Sequence, residues 1–254
     1  MTTHTVSART ARTAIVALGA GVLLAGCSFS GSVVDGAYKT ATADATVTEA
    51  VTAVKLTGVR SGSIAVTPGT GPGVTIHRTV RYRGDTVPET GQQVTGGVLT
   101  FSKNCSGECR VDYRLEVPAT ATVDLASSSG DITVTGVAGA EVEADSGEVT
   151  AERIGGPLKV RSSSGDITAT GLTGPSAEIR STSGNTELDF AKAPSSVLVE
   201  ASSGDVTVKA PQGPYRTKVS TDSGDRDITL PDDPSAPSHI SVKTSSGDIR
   251  VSAL

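Results

Sequence analysis

Seven times in the second half of the chain a glycine is followed by an acidic or amide residue: Asp131, Glu148, Asp166, Asn185, Asp205, Asp225 and Asp248. Carboxylates brought into one column repel, and a hard cation such as calcium relieves that repulsion. An Asp after Ser-Gly is equally a turn former that accepts hydrogen bonds from nearby backbone and hydroxyl groups. The turn role is the reading taken, because calcium-binding nonapeptide coils have a shorter period and denser glycines. No metal or other cofactor is therefore expected. Among nucleophiles and bases, the serines sit at repeat corners without the context of a nucleophile elbow. His77 and His239 lack an evident partner pattern, and His4 lies in the leader. A non-enzymatic protein is expected, with a calcium-binding or carbohydrate-active β-helix as alternatives.

Cys105 and Cys109 are separated by three residues, one more than a redox CxxC motif. A zinc site needs further ligands, and none stands nearby. Outside the cytoplasm such a pair oxidises, and a loop this short places the crosslink at the low end of the usual ~2–4 kcal/mol. Free thiols remain the alternative.

The elements that position these residues follow from the repeat. Ser128-Ser129-Gly130-Asp131-Ile132-Thr133-Val134 recurs with drift, its glycines at Gly130, Gly147, Gly165, Gly184, Gly204, Gly224 and Gly247. The steps are 17, 18, 19, 20, 20 and 23 residues. Five residues before each glycine stands an aliphatic side chain: Leu125, Val142, Val160, Ile179, Val199, Val219, Val242. Four after it stands another: Val134, Ala151, Ala169, Leu188, Val208, Ile228, Val251. Alternation on both sides of the corner marks two half-buried strands per unit. A period near 20 residues marks stacked units that bury their apolar faces against neighbours. The expected fold is all-β: a single-stranded parallel β-solenoid with about 17–23 residues per coil, right-handed by the crossover preference. An antiparallel meander with Ser-Gly hairpin turns competes with it. Stacking places Glu143 beside Arg161 and Arg180 beside Glu200 as cross-strand charge pairs. The copy at Gly224 is expected to have its second strand displaced by two residues, which preserves the inward face. Pro211, Pro214, Pro231, Pro234 and Pro237 mark corner loops.

The organisation expected is residues 1–26 as an export signal, 27–50 as a small polar tether, 51–120 as a less regular β cap with first coils, and 121–254 as the repeats. Arg9 and Arg12 precede a twelve-residue apolar run, Ala14 to Ala25, too short to span a bilayer. The run ends Leu24-Ala25-Gly26-Cys27, which resembles the lipobox of bacterial lipoproteins. The resemblance implies cleavage between Gly26 and Cys27 and diacylglyceryl modification of the Cys27 sulfur. Acyl chains at ~0.8 kcal/mol per buried methylene anchor a protein to a bilayer. In the cap, Arg60-Ser61-Gly62-Ser63-Ile64-Ala65-Val66 reads as a worn repeat. The chain carries 22 basic and 27 acidic residues, and 20 against 27 without Arg9 and Arg12. With no basic stripe, a nucleic-acid partner is not expected.

The Ser-Ser-Gly-Asp-Ile-Thr-Val repeats and the upstream Val111-Asp112-Tyr113-Arg114-Leu115-Glu116-Val117-Pro118 strand are similar to the bacterial "putative adhesin" family of β-strand-repeat domains. The similarity covers roughly residues 55 to 254 and implies a β-solenoid exposed on the cell envelope, with no catalytic residues to carry over. The expected function is adhesion or protein contact by an extracytoplasmic, lipid-anchored rod. Its partners would be the bilayer, through acylated Cys27, and an unidentified envelope or surface protein. The alternative is an envelope-stress or signalling accessory that contacts a membrane protein. A third reading is self-assembly through an uncapped last rung at Ile249-Arg250-Val251.

Overall fold

The computed structural model describes residues 38–102, 105 and 108–254, and among them it contains strands and turns but no helix. The first seven strands are β1 (Lys39–Val47), β2 (Ala53–Val59), β3 (Ile64–Gly69), β4 (Val74–Tyr82), β5 (Gly91–Thr95), β6 (Val98–Ser102) and β7 (Cys109–Pro118). The repeats supply β8 (Thr122–Ser129), β9 (Ile132–Thr135), β10 (Gly139–Ser146), β11 (Val149–Glu152), β12 (Leu158–Ser164), β13 (Ile167–Leu172) and β14 (Ser176–Ser183). They continue as β15 (Thr186–Phe190), β16 (Ser196–Ser203), β17 (Val206–Ala210), β18 (Arg216–Ser223), β19 (Arg226–Ile228), β20 (His239–Ser246) and β21 (Ile249–Ala253). β1 lies inside the stretch expected as tether, so the later part of 27–50 is folded. Gly26 and Cys27 lie outside the described residues.

Each repeat places its first strand in one sheet and its second strand in the other. The first sheet runs β1-β4-β7-β3-β9-β11-β13-β15-β17-β21-β19 and the second β18-β20-β16-β14-β12-β10-β8-β2-β6-β5. Only β1–β4, β4–β7 and β5–β6 pair antiparallel. Equivalent positions stack in parallel register: Leu125 on Val142, Val142 on Val160, Val160 on Ile179, Ile179 on Val199. That register rules out the meander and is consistent with the expected solenoid. All five side chains are at most 1% exposed, each worth ~1.5–3 kcal/mol of apolar burial. The core is thin because its columns are Val, Ile, Leu and Ala. Larger side chains are few: Phe101 and Tyr113 in the cap, Phe190 within the stack and Tyr215 near the last rung.

The Ser-Gly corner holds the stack together. Gly130, Gly147, Gly165, Gly184, Gly204, Gly224 and Gly247 have φ between 113 and 137°. A Cβ on Gly165 would lie 2.1 Å from the carbonyl oxygen of Gly147 in the next rung. The backbone therefore needs both the left-handed conformation and the missing side chain.

Two departures from sequence order close the ends. The strand pair β20/β21 is inserted between β16/β17 and β18/β19. Ile249-Arg250-Val251 is thus internal, contrary to the expectation that it forms an open last rung. The outermost rung is β18/β19, and its second strand is not displaced: Arg226 sits on Ile249 and Ile228 on Val251. Arg226 occupies a core column at the open end, where it stays exposed. A charge in that place blunts edge-to-edge pairing. The proline-bearing return segment caps this rung further. Leu230 is buried, and the Asp232 carboxylate accepts the Thr217 N–H at 2.8 Å and its hydroxyl at 2.9 Å. At the other end β2/β3 lies between β6/β7 and β8/β9, which makes the worn repeat a true rung.

Two predictions follow from these contacts. Gly165→Ala should cost about 3 kcal/mol or more in chemical denaturation, whereas Gly71→Ala, with nothing within 4 Å, should change stability by less than ~0.5 kcal/mol. Equal effects would dismiss the corner constraint. The Thr217 bonds hold the Asp232 carboxyl below its ordinary 3.8. Its contribution to the end cap is therefore present above that value and lost as pH falls through the depressed one. Hydrogen exchange at Thr217, corrected for its intrinsic rate, should accelerate on acidification and be insensitive to that change in Asp232→Ala.

Candidate functional site

The acidic column resolves into a ladder. Oδ1 of Asp131 accepts the Glu148 N–H at 3.0 Å, and Oδ1 of Asp166 accepts the Asn185 N–H at 2.7 Å. Asn185 Oδ1 accepts the Asp205 N–H at 3.0 Å, and Asp205 accepts that of Asp248 at 2.8 Å. Asp248 in turn accepts the Asp225 N–H at 2.8 Å, following the spatial order of rungs. In the cap, Asp112 accepts the Ser63 N–H at 2.9 Å. These side chains bond backbone from rung to rung. Among the described residues no group of three or more His, Cys, Asp or Glu is placed to hold a metal ion.

The outer face of the second sheet carries a lattice of ion pairs. Lys55 meets Asp124 at 2.7 Å, Lys159 meets Glu141 at 2.8 Å, and Arg161 meets the same Glu141 at 3.2 Å. Arg180 bridges Glu178 and Glu200, the latter at 3.0 Å. Arg180 with Glu200 is the pair the columns predicted. Arg161 is registered on Glu143 as expected, yet its ion pair runs diagonally to Glu141. Glu141 thus gathers two cations, and the Lys159 hydrogen bond, with Arg161 beside it, holds the Glu141 carboxyl below its usual range. The Glu200 hydrogen bond likewise raises Arg180, and Asp124 raises Lys55. Exposed pairs of this kind contribute ~0–1 kcal/mol each, so they orient side chains more than they stabilise. Between them lies an open groove of about 400 Å³ along the rungs. Glu143, Arg161, Arg180 and Glu200 line one side, with Asp145, Ser163, Thr182 and Ser202 on the other. The row reads minus, plus, plus, minus at the strand spacing of ~4.8 Å. Such a row can recognise a charged, extended partner.

Both histidines have polar neighbours that the sequence did not disclose. His77 Nδ1 lies 3.0 Å from Asp44 Oδ1, and His239 Nε2 shares a 2.9 Å hydrogen bond with Ser196 Oγ. Both contacts join registered neighbours on adjacent strands. Among the described residues no carboxylate is hydrogen-bonded to His239, so the Ser–His contact is not completed into a triad. Cys105 and Cys109 form a disulfide, Cα atoms 5.8 Å apart, at the corner between β6 and β7. Arg78 was missed. It is 4% exposed, with its guanidinium 5.4 Å from the Phe101 ring and 5.8 Å from that of Tyr113. It donates to Gln92 at 2.6 Å. Burial pulls Arg78 below its ordinary value and pushes Tyr113 up. The alternation Val74, Ile76, Arg78, Val80, Tyr82 already placed it inward.

The chain is thus a repeat scaffold with an ordered charged face. Residues 97–253 match the family described as Toastrack DUF4097, and the chain belongs to that family. Several solved structures are similar at low identity. A "putative adhesin" from Bacteroides fragilis is 13% identical, covering 85% of this chain and 97% of that one, TM-score 0.46. A "putative cell adhesion protein" from Clostridium sporogenes is 13% identical, covering 84% and 100%, TM-score 0.39. A "putative lipid binding protein" from Parabacteroides distasonis is 12% identical, covering 87% and 98%, TM-score 0.36. No curated protein matches the chain.

Asn185 performs the ladder role with a neutral amide. Asp166→Asn should therefore stay within ~0.5 kcal/mol of the parent, and Asp166→Ala should cost ~1–2 kcal/mol in a denaturant melt, with or without calcium. A large loss in Asp166→Asn that calcium modulates would overturn the ladder.

Proposed function

We propose that the protein is a non-enzymatic, lipid-anchored envelope protein that displays its stacked rungs for adhesion or protein contact. The observation that carries this is the row Glu143, Arg161, Arg180, Glu200, fixed in register on an open groove by ion pairs to flanking carboxylates. Burial in the stack prevents the strands from shifting, so the charges are presented as a rigid pattern. The partner is a protein or surface polymer of complementary charge. The coil winds right-handed, following the crossover preference, with about 17–23 residues per turn. Leu24-Ala25-Gly26-Cys27 supports cleavage before Cys27, acylation of its sulfur, and residence outside the cytoplasm at the membrane. The disulfide at Cys105 and Cys109 suits that oxidising location.

The reading is tested in cells expressing the full chain. The mature protein should begin at an acylated Cys27, seen by mass spectrometry, and Cys27→Ser should release it from the membrane fraction. Crosslinked partners recovered with the parent should fall at least ~10-fold with Arg161→Glu plus Arg180→Glu, while the melting temperature is retained. An unacylated Cys27 would remove the anchor, and undiminished recovery would remove the groove.

A further inference from the structure

The cap end brings together a set of residues that the rod face does not use. Tyr38 is 55% exposed, and the Arg83 guanidinium stacks 4.4 Å from its ring. Lys39 begins β1 beside it, and β4 and β7 place Arg81 directly opposite Arg110 on the outer face. Like charges opposite one another are destabilising in a sheet. In the second sheet the like-charge neighbours Arg161 and Arg180 are each met by glutamates, Glu141 for the first and Glu178 with Glu200 for the second. Three acids lie nearby and make ion pairs: Asp85 with Lys39, Glu108 with Arg83, and Asp112 with Arg110, all at 3.0 Å. Arg81 has no ion pair among the described residues and is exposed.

Charge is also polarised along the chain. Residues 38–118 hold nine Lys and Arg against seven Asp and Glu, while residues 119–254 hold 11 against 19. The basic end is the end at which the chain enters. Ten residues separate Cys27 from Tyr38, a reach of about 35 Å at most. Ten strand spacings of ~4.8 Å put the far edge, β19, roughly 48 Å from β1.

The geometry points to the cap face around Tyr38, Arg81, Arg83 and Arg110 as a docking surface for the anionic headgroups of a bilayer. An exposed tyrosine beside arginines is the side-chain chemistry of a membrane–water interface. The acidic rod is repelled by the same surface, so the contact is confined to the cap. Screening over ~8–10 Å at physiological salt lets the near face act despite the negative total charge. The placement of the bilayer rests on the anchor at Cys27; the headgroup contact is an additional property of the folded cap.

The test uses residues 28–254, which contain every described strand and no acyl site. Sedimentation with vesicles of phosphatidylcholine alone is compared with vesicles that also contain phosphatidylglycerol. Binding should require phosphatidylglycerol and weaken as salt is raised. Arg81→Ala should weaken it about 5-fold, and Arg81→Ala with Arg110→Ala about 25-fold. Lys192→Ala, an exposed cation on the rod, should leave it unchanged. Equal sedimentation with both vesicle types, or an equal loss from Lys192→Ala, would overturn the inference. Binding to soluble polyphosphate with none to vesicles would also overturn it. If the double variant does not fold, the lipid and salt dependence of the parent decides. Because this protein is acyl-free, a failed anchor at Cys27 leaves the result untouched, and an acylated Cys27 does not rescue a negative one.

Discussion

The carbonyl oxygen of Gly147 occupies the space a side chain on Gly165 would need, and the same contact recurs from Gly62 on the Val111 carbonyl to Gly224 on the Gly247 carbonyl. Close approach at the corner fixes how far apart consecutive rungs sit and which residue lies over which. Register in both sheets follows from it. A slip of one residue would put a bulkier side chain against that carbonyl and turn Val160, Ile179 and Val199 outward at the same time. The aliphatic columns supply the free energy; the glycines decide where it is collected. The acidic ladder strengthens this choice, because Asp131, Asp166, Asp205 and Asp248 each accept the N–H of the equivalent residue in the next rung.

Stacks that grow by identical contacts have no intrinsic end, and an open end is an invitation to pair with another chain. Here each end is finished by a different means. In the cap, antiparallel β1, β4 and β5 replace the corner geometry, and Arg78 fills the inter-sheet space with a cation held by Phe101, Tyr113 and Gln92. At the far end Arg226 stands in a core column and the return segment covers Tyr215 and Thr217. At the far end the strand pair nearest the chain's end in sequence, β20/β21, is held between two others. Fraying the last strands therefore requires breaking ladders on both sides, which a simple terminal coil would not demand.

Columns were legible in the sequence because burial, corner and turn chemistry each repeat at the same offsets from glycine. Val142, Val160 and Ile179 needed no structure to be placed inward. Spatial order was not legible, for the reason that makes the columns so clear: every copy is compatible with every other, so the code does not say that β20 follows β16. Arg226 held the clue. A charge in a core column reads locally as a shifted strand, but it is tolerated unshifted where the column meets solvent. The charge pairs show the same limit. Register put Arg161 beside Glu143, while the diagonal pair with Glu141 depends on side-chain reach, which lies outside column arithmetic. The histidine contacts arise between strands far apart in sequence, Asp44 with His77 and Ser196 with His239, so spacing could not reveal them.

Repetition also shapes what such a molecule can do. A stack multiplies whatever stands in a column, so a column of like residues offers no address. Information lies in the departures: two arginines together between glutamates on the second sheet, and two arginines facing one another in the cap. Each is a local cost in like-charge repulsion, met by carboxylates on neighbouring strands in the first case and less completely in the second. The two sites also differ in what surrounds them. The groove pair is flanked by acids along the rung axis and sits on an acidic rod, which suits a partner of mixed charge. Next to the chain's entry point, the cap pair has an exposed tyrosine and an arginine without an ion pair, which suits a uniformly anionic surface. One scaffold thereby carries two charge patterns of different kind, held at a fixed distance by the rungs between them.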